Sequence, residues 1–275
     1  MILKTENGPL YYDVTGAGPP IVFVSGWAMS SECWRPAVAL LERKYRCLIY
    51  DMRGVGRSQP FSVNARFDIE DHAEDLHRII EETDFFDAVL TGHEMGALVA
   101  ATCADRHPQD MRALAIVSPR SGISDAELKK LSVLTPASLM LRELAAFPLI
   151  RNVVAWRFRR APQPERDALF NNFAELSPRA AYETALSMSD PRSFALLEAL
   201  IESTDSPMLV VCGEKDRSGV ELARDIFSRM RAGKLAKVSG SGFLPMLEYP
   251  RQFAKLLDNF AGGAYRGISQ ALFRV

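Results

Sequence analysis

Short apolar runs alternate with longer amphipathic segments along most of this chain of 275 residues. Five of the runs are apolar on both faces: IVFVSG at 21–26, CLIYD at 47–51, AVLTG at 88–92, ALAIVS at 113–118 and MLVVCG at 208–213. Such runs are typical of parallel strands that are covered by helices on both sides. The pattern therefore predicts an α/β fold with a doubly wound, mostly parallel sheet.

The clearest helix in the pattern is DIEDHAEDLHRIIEET, residues 68–83. Its apolar residues recur at steps of three and four, and acidic residues crowd its first turn, where the helix dipole favours them. After the run at 208–213, an amphipathic segment near 219–231, the predicted strand KLAKVSG and a last helix from about Pro250 continue the alternation.

The alternation stops between about Pro119 and Pro207, where the chain is rich in Ala, Leu and Arg. We expect a helical insertion, or cap, at 119–207, and a sheet domain formed by residues 1–118 and 208–275. Within this insertion, RNVVAWRFRR at 151–160 contains four arginines. One of them could bind a substrate carboxylate, although a solvated helix face is the commoner role of such a run.

The composition, 48 % hydrophobic and 24 % charged residues, predicts a globular protein with a substantial core. Lys and Arg number 33 against 34 for Asp and Glu, so no charge bias favours nucleic acid or a membrane surface as a partner. We expect a small-molecule partner and a cytoplasmic location, because neither a signal peptide nor a membrane span is evident. A homodimer is left open by the sequence.

Metal and disulfide chemistry are not predicted. The four cysteines lie far apart and form no CxxC pair: Cys33, Cys47, Cys103 and Cys212. Small buried hydrophobic residues are their expected role. We therefore expect no metal and no cofactor.

Ligands of an open parallel sheet bind beyond the carboxyl ends of its strands, so the turns that follow the apolar runs are the candidate site. These turns are SGWAMSSECW, DMRGVGRS, GHEMGA and GEKD, and SGSGFLPMLEYP follows the last predicted strand. Together they resemble the α/β-hydrolase superfamily, in its subset with a helical cap. GHEMGA matches the nucleophile elbow, Gly-x-nucleophile-x-Gly. The five motifs occur in the family's order over nearly the whole chain, so the resemblance implies that fold.

The chain departs from the family pattern at the residues that carry the chemistry. Glu94 stands at the nucleophile position, Phe243 at the histidine position and Ser25 at the usual histidine of the oxyanion loop, while Asp216 matches the acid. No histidine follows His107, so no later loop can supply a replacement imidazole. We therefore reject serine-type ester hydrolysis.

Three interpretations of Glu94 are open. As a nucleophile, it would resemble the elbow aspartate of epoxide hydrolases and haloalkane dehalogenases, but it would lack the histidine that releases their ester intermediate. As a general base or acid, with Asp216 as a partner, it would suit an isomerase, cyclase or lyase, or an atypical hydrolase. In the third interpretation the protein only binds a small molecule, or is a degenerate hydrolase. A functional role for Glu94 is favoured. If the chemistry had simply been lost, we would expect a small neutral residue here, because a buried carboxylate without a partner costs stability.

The elbow predicts the surroundings of Glu94 as well. Its carboxylate would lie near the main-chain N–H groups around Trp27, where an oxyanion is normally bound. Trp27, Ser25, Met95 and Phe243 are the predicted binding residues, and they suggest an apolar or aromatic substrate.

Structural roles are the alternatives. Glu94 could instead form an internal ion pair with an arginine, for example Arg53, and Asp216 could cap or tighten the turn after its strand. His72, His77 and His107 are expected to be exposed, and His93, beside Glu94, is expected to point away from the pocket.

Overall fold

The strands form where the sequence is apolar on both faces, because helices then cover both sides of the sheet. The computed structural model describes residues 1–120 and 177–267. Its strands are β1 (Ile2–Thr5), β2 (Gly8–Thr15), β3 (Pro20–Val24), β4 (Arg46–Tyr50), β5 (Ala88–His93), β6 (Met111–Val117), β7 (Met208–Gly213) and β8 (Gly233–Val238). They form one sheet in the order β1-β2-β4-β3-β5-β6-β7-β8. Strand β2 pairs antiparallel with β1 and β4, and all other neighbours are parallel, which confirms the predicted fold class.

The helices of the described residues are α1 (Arg35–Leu41), α2 (Ile69–Thr83), α3 (Met95–Arg106), α4 (Pro178–Ser189), α5 (Pro191–Ser203), α6 (Arg217–Arg229), α7 (Pro245–Glu248) and α8 (Pro250–Tyr265). Helix α2 agrees with the amphipathic segment in the sequence; Asp68 is its N-cap residue and Asp84, with φ 53°, ends it in the left-handed conformation. Within the described residues, no helix is both long and apolar enough to cross a bilayer.

Two buried clusters hold the helices against the sheet. Ile21 and Phe23 of β3 pack in one cluster with residues of α1 and α8. Val22 and Val24 point to the opposite face and pack with residues of α2 and α3. Successive side chains of a strand alternate between faces, so one apolar run contributes to both clusters.

Helices α4 and α5 are the described part of the predicted insertion, and residues 121–176 lie outside the description. Leu197 and Ile201 of α5 belong to the same buried cluster as Leu98 of α3, so α5 lies in the helical layer of the sheet domain. Helix α4 is tied to the loops of the sheet: the indole Nε1 of Trp27 donates to the carbonyl of Ala181 at 3.0 Å. The boundaries of a cap stay a prediction.

Candidate active site

A single residue, Glu94, connects β5 to α3. Its backbone has φ 50° and ψ −112°, a conformation that non-glycine residues rarely adopt. Its main-chain N–H donates to the carbonyl of Val117 at 2.9 Å, which ties the turn to the neighbouring strand β6. Helix α3 approaches β5 and β3 closely because Gly92 and Gly96 have no side chains: a Cβ atom at Gly92 would lie 2.3 Å from the carbonyl oxygen of Gly96, and one at Gly96 would lie 2.2 Å from that of Val24. The turn therefore presents the Glu94 side chain at the carboxyl end of the sheet.

The carboxylate of Glu94 accepts a hydrogen bond from the loop after β3. The main-chain N–H of Trp27 donates to Oε2 of Glu94 at 2.9 Å. Gly26 permits this approach, since a Cβ atom there would lie 2.9 Å from Oε2 of Glu94 and 2.5 Å from Nδ1 of His93. The predicted proximity of Glu94 to the N–H groups around Trp27 is thus present in the structure.

His93 is fully buried beside this carboxylate. Its Nε2 lies 3.1 Å from the carbonyl oxygen of Phe243, so Nε2 carries the proton and donates it. Its Nδ1 is buried and has no hydrogen-bond partner among the described residues. Burial, together with the nearby charge of Arg120, lowers the pKa of His93 to about 4, so the ring is neutral at pH 7.

Phe243 is the residue that the sequence motif predicts at the position of the family's histidine. Its ring packs edge-on against the ring of His93, with centroids 4.6 Å apart. The guanidinium carbon of Arg120 lies 4.2 Å from the centroid of the same ring. Phe243 therefore packs between an imidazole and a guanidinium, and it contributes no titratable group.

Asp216 is the N-cap residue of α6. Its Oδ1 accepts hydrogen bonds from the N–H of Gly219 and the hydroxyl of Ser218, each at 3.4 Å. Its Oδ2 is buried without a hydrogen-bond partner among the described residues. No hydrogen bond links Asp216 to Glu94 there, so this geometry fits the capping alternative and leaves a catalytic role for Asp216 a prediction.

Ser25 and Met95, the other two predicted binding residues, have buried side chains. Ser25 is 0 % exposed and its Oγ lies 3.6 Å from Sγ of Cys33, while Met95 is 2 % exposed and packs in the cluster of α2 and α3. Neither side chain reaches a surface that a ligand could touch in the described structure. Their binding role therefore rests on the sequence alone, whereas Trp27 and Phe243 are partly exposed.

Arg53 does not pair with Glu94. Its Nη2 lies 2.7 Å from Oδ1 of Asp75, and this ion pair is almost completely buried, with side chains 4 % and 1 % exposed. Since the guanidinium is held by α2, the alternative of an Arg53–Glu94 ion pair is wrong.

The expected exposure of the other histidines is wrong for His72. It is 1 % exposed because α4 covers it, and its Nε2 lies 3.3 Å from Oγ1 of Thr184. His77 and His107 are partly buried and stack on each other with ring centroids 3.5 Å apart. None of these three contacts Glu94 in the described structure.

The cysteines have their expected role. All four are free and buried. Among the described residues, no group of three or more His, Cys, Asp or Glu side chains is arranged to hold a metal ion. The arginine-rich segment at 151–160 lies outside the described residues.

Arg120 is a described residue of this site that the sequence did not suggest. The only signal was its place directly after the apolar run ALAIVSP, at the carboxyl end of a strand. Its contact with Phe243 joins residues that are far apart in sequence, which no local pattern reveals.

Comparisons with known proteins agree with this architecture. The family model described as alpha/beta hydrolase fold matches residues 19–221. "Putative carbamate hydrolase RutD" of Variovorax paradoxus is 30 % identical over 220 residues, which cover 76 % of this chain and 79 % of that protein. The protein of the same name from Azorhizobium caulinodans is 32 % identical over 41 % of this chain, and that match spans only 42 % of its length.

Solved structures show the same fold at low identity. An esterase from Thermogutta terrifontis superimposes with a TM-score of 0.77 and 20 % identity, over 96 % of this chain and 99 % of its own. An esterase from Exiguobacterium antarcticum gives a TM-score of 0.77 at 18 % identity, over 95 % of this chain and 98 % of its own.

Proposed function

Because the chain belongs to the alpha/beta hydrolase fold family, we propose that it is a cofactor-free enzyme that acts on a small, largely apolar molecule, with Glu94 as general base and acid. The reaction class is proton transfer of the kind used by isomerases, cyclases and lyases, or hydrolysis without a serine nucleophile. A cytoplasmic location is part of the same proposal.

The hydrogen bond between Trp27 N–H and Oε2 of Glu94, 2.9 Å long, is the observation that carries the proposal. It fixes the carboxylate at the point where two loops at the carboxyl end of the sheet meet, which is where ligands of such sheets bind. A general base must be held in place within reach of the proton that it removes. The unusual backbone conformation of Glu94 supports the same view, since such strain persists mainly at functional sites.

The mechanism of a serine esterase has no support at this site. The elbow carries Glu94, and the imidazole of His93 donates its Nε2–H to a main-chain carbonyl. The Trp27 N–H, which would otherwise be available to an oxyanion, already binds the carboxylate. The hydrolase names of the relatives therefore support the broad class of the enzyme and not its mechanism.

Proton transfer by Glu94 can proceed with this chain's own groups. One carboxylate oxygen takes a proton from an acidic carbon or a hydroxyl of the substrate and later returns it to another atom, so the carboxylate is regenerated. Trp27 and Phe243 provide apolar walls, and water exclusion there strengthens the electrostatic interactions of the carboxylate.

Nucleophilic attack by Glu94 is the second candidate, because the elbow position favours it. The attack would form an ester between Glu94 and a substrate carbon and release a halide or open an epoxide. Phe243 stands where the resemblance predicts the histidine that activates water against this ester, so we expect the ester to accumulate and to be visible by mass.

A reaction screen tests the proposal. The wild-type protein is incubated in D₂O with carbon acids that include phenylpyruvate, aryl ketones and 3-oxo esters, and hydrogen exchange at carbon is followed by ¹H NMR. In parallel, intact-protein mass is measured after exposure to epoxides, alkyl halides, lactones and activated esters. Catalysed exchange without a mass increase supports the general-base role. A stable adduct that Glu94→Gln lacks would overturn it in favour of the nucleophile. The absence of both exchange and adduct would favour a binding protein.

A further inference from the structure

Arg120 places a positive charge inside the candidate active site. It lies three residues beyond Val117, the end of β6, and Ser118, with φ 47°, turns the chain at this point. The guanidinium carbon lies 4.2 Å from the ring centroid of Phe243. Since Phe243 in turn contacts His93, the residue next to Glu94, the guanidinium and the carboxylate belong to one site.

The charge of Arg120 has no counter-ion in the part of the chain that the structure describes. Other partly or fully buried arginines have an acceptor: Arg35 meets Asp13, Arg53 meets Asp75, and Arg46 donates to the main-chain carbonyl of Thr83. The Nε of Arg120 is buried without a hydrogen-bond partner among the same residues. A buried N–H donor without an acceptor is costly, and a guanidinium cannot lose its charge to relieve the cost.

The charge of Arg120 also acts on His93. Arg120 is among the causes that lower the pKa of His93 to about 4. The imidazole therefore stays neutral beside the guanidinium and does not compete with it for an anion. Among the described residues, Arg120 is the cationic group whose charge acts on His93 and whose guanidinium packs on Phe243.

We propose that Arg120 binds a carboxylate of the substrate, so that the substrate is an amphipathic carboxylic acid. This inference rests on the proposed function and names the substrate class of the same site. The planar fork of a guanidinium matches the two oxygens of a carboxylate, and the ring of Phe243, with its centroid 4.2 Å from the guanidinium carbon, attracts the cation. The apolar part of the acid would then pack against Trp27 and Phe243, close to Glu94.

Binding of phenylacetate and its neutral analogue phenylacetamide tests the proposal by titration calorimetry. The two probes share size and aromatic ring and differ in charge. Wild-type protein should bind phenylacetate about 10- to 100-fold more tightly than phenylacetamide, which is the usual effect of a hydrogen bond to a charged group. Arg120→Gln should remove this preference, and Arg120→Lys should keep part of it because the charge remains while the fork is lost.

Arg112→Gln is the matched control. Arg112 stands at the amino end of the same strand, with its guanidinium over the ring of Tyr265 at 5.1 Å and paired with Asp87. Its substitution should leave phenylacetate binding unchanged. Equal binding of the two probes by wild-type protein, or unchanged phenylacetate binding in a folded Arg120→Gln, would overturn the proposal.

Failure of the carboxylate-binding site and failure of the general-base role of Glu94 give different results. Glu94→Gln removes a negative charge near the probe, so phenylacetate affinity should be retained or increased even where proton transfer is lost. Failure of the general-base role would therefore leave the binding preference intact. Failure of the carboxylate site would abolish the preference without changing the exchange chemistry of neutral ketones.

Discussion

The main-chain N–H of Trp27 and the side chain of Glu94 form a 2.9 Å hydrogen bond between the loop after β3 and the turn after β5. In a typical hydrolase of this fold, a main-chain N–H in this loop is kept for the oxyanion of a reaction intermediate. Here a carboxylate of the protein itself accepts the bond. This relationship connects the sequence departure at residue 94 with the chemistry that we propose.

Gly26→Ala should disrupt the site. The added Cβ would lie 2.5 Å from Nδ1 of His93 and 2.9 Å from Oε2 of Glu94, so the carboxylate has to move. We expect a loss of about 1–3 kcal/mol in the free energy of unfolding, together with loss of activity.

Urea denaturation checks this prediction, with Gly262→Ala in α8 as the control. There the nearest atom, Oη of Tyr45, is 3.4 Å from the added Cβ, and alanine favours a helix over glycine by about 0.5–1 kcal/mol. The control should be at least as stable as wild type. A fully stable and active Gly26→Ala protein would contradict the close packing around Glu94.

Arg53→Gln should reduce stability and leave the chemistry intact. The substitution removes the closer of two cations beside the buried carboxylate of Asp75, since Arg78 lies at 4.0 Å, and breaking such a pair costs at most about 3–5 kcal/mol. Arg66→Gln is the control, because Arg66 pairs with Asp68 on the surface, where its side chain is 71 % exposed, and the expected loss is at most about 1 kcal/mol. Chemical denaturation measures the free energy of unfolding of both variants. Equal losses would contradict the larger contribution that we assign to the buried ion pair.

The protein should lose stability in mild acid because two histidines are buried in the neutral form. Burial lowers the pKa of His93 to about 4 and that of His72 to about 3, from 6.5. In the unfolded chain both rings take up protons as the pH falls below 6.5, so the unfolded state binds more protons than the folded state. Their contribution is complete above pH 6.5 and is lost as the pH falls towards 4 and then 3.

Urea denaturation between pH 7 and pH 4 measures this slope. His72→Gln should make the free energy of unfolding less dependent on pH. Thr184→Val is the control, since it removes the hydrogen-bond partner of His72 and no titrating group; it should lower stability and keep the slope. An unchanged slope in His72→Gln would contradict the assignment of acid sensitivity to this ring.

Much of the fold was predictable because its central strands are buried on both faces. The apolar runs mark β3 to β7 within about two residues at each end, since no polar face interrupts them. The antiparallel pair of β1 and β2 was missed. Strand β1 has only four residues, and both strands are largely exposed or half-exposed, so neither forms an apolar run.

The site was predictable only where the backbone geometry of a turn restricts the residue type. The elbow pattern of Gly92, Glu94 and Gly96 predicted the strand-to-helix turn, because the close approach of backbones requires glycine there. The contact of Arg120 with Phe243 and the burial of His72 under α4 depend on long-range packing. No periodicity in the sequence reports such packing, which is why these two features emerged only from the structure.

Carbon–hydrogen exchange in D₂O by wild-type protein and Glu94→Gln is the most direct test of Glu94 as general base. Glutamine keeps an oxygen that can accept from Trp27 N–H, so the fold should be preserved while the base is lost. The rate on a carbon acid that the wild type accepts should fall by roughly 100- to 10,000-fold. Glu74→Gln, on α2 and paired with Arg106, should exchange at the wild-type rate. Equal rates for wild type and folded Glu94→Gln would contradict the account.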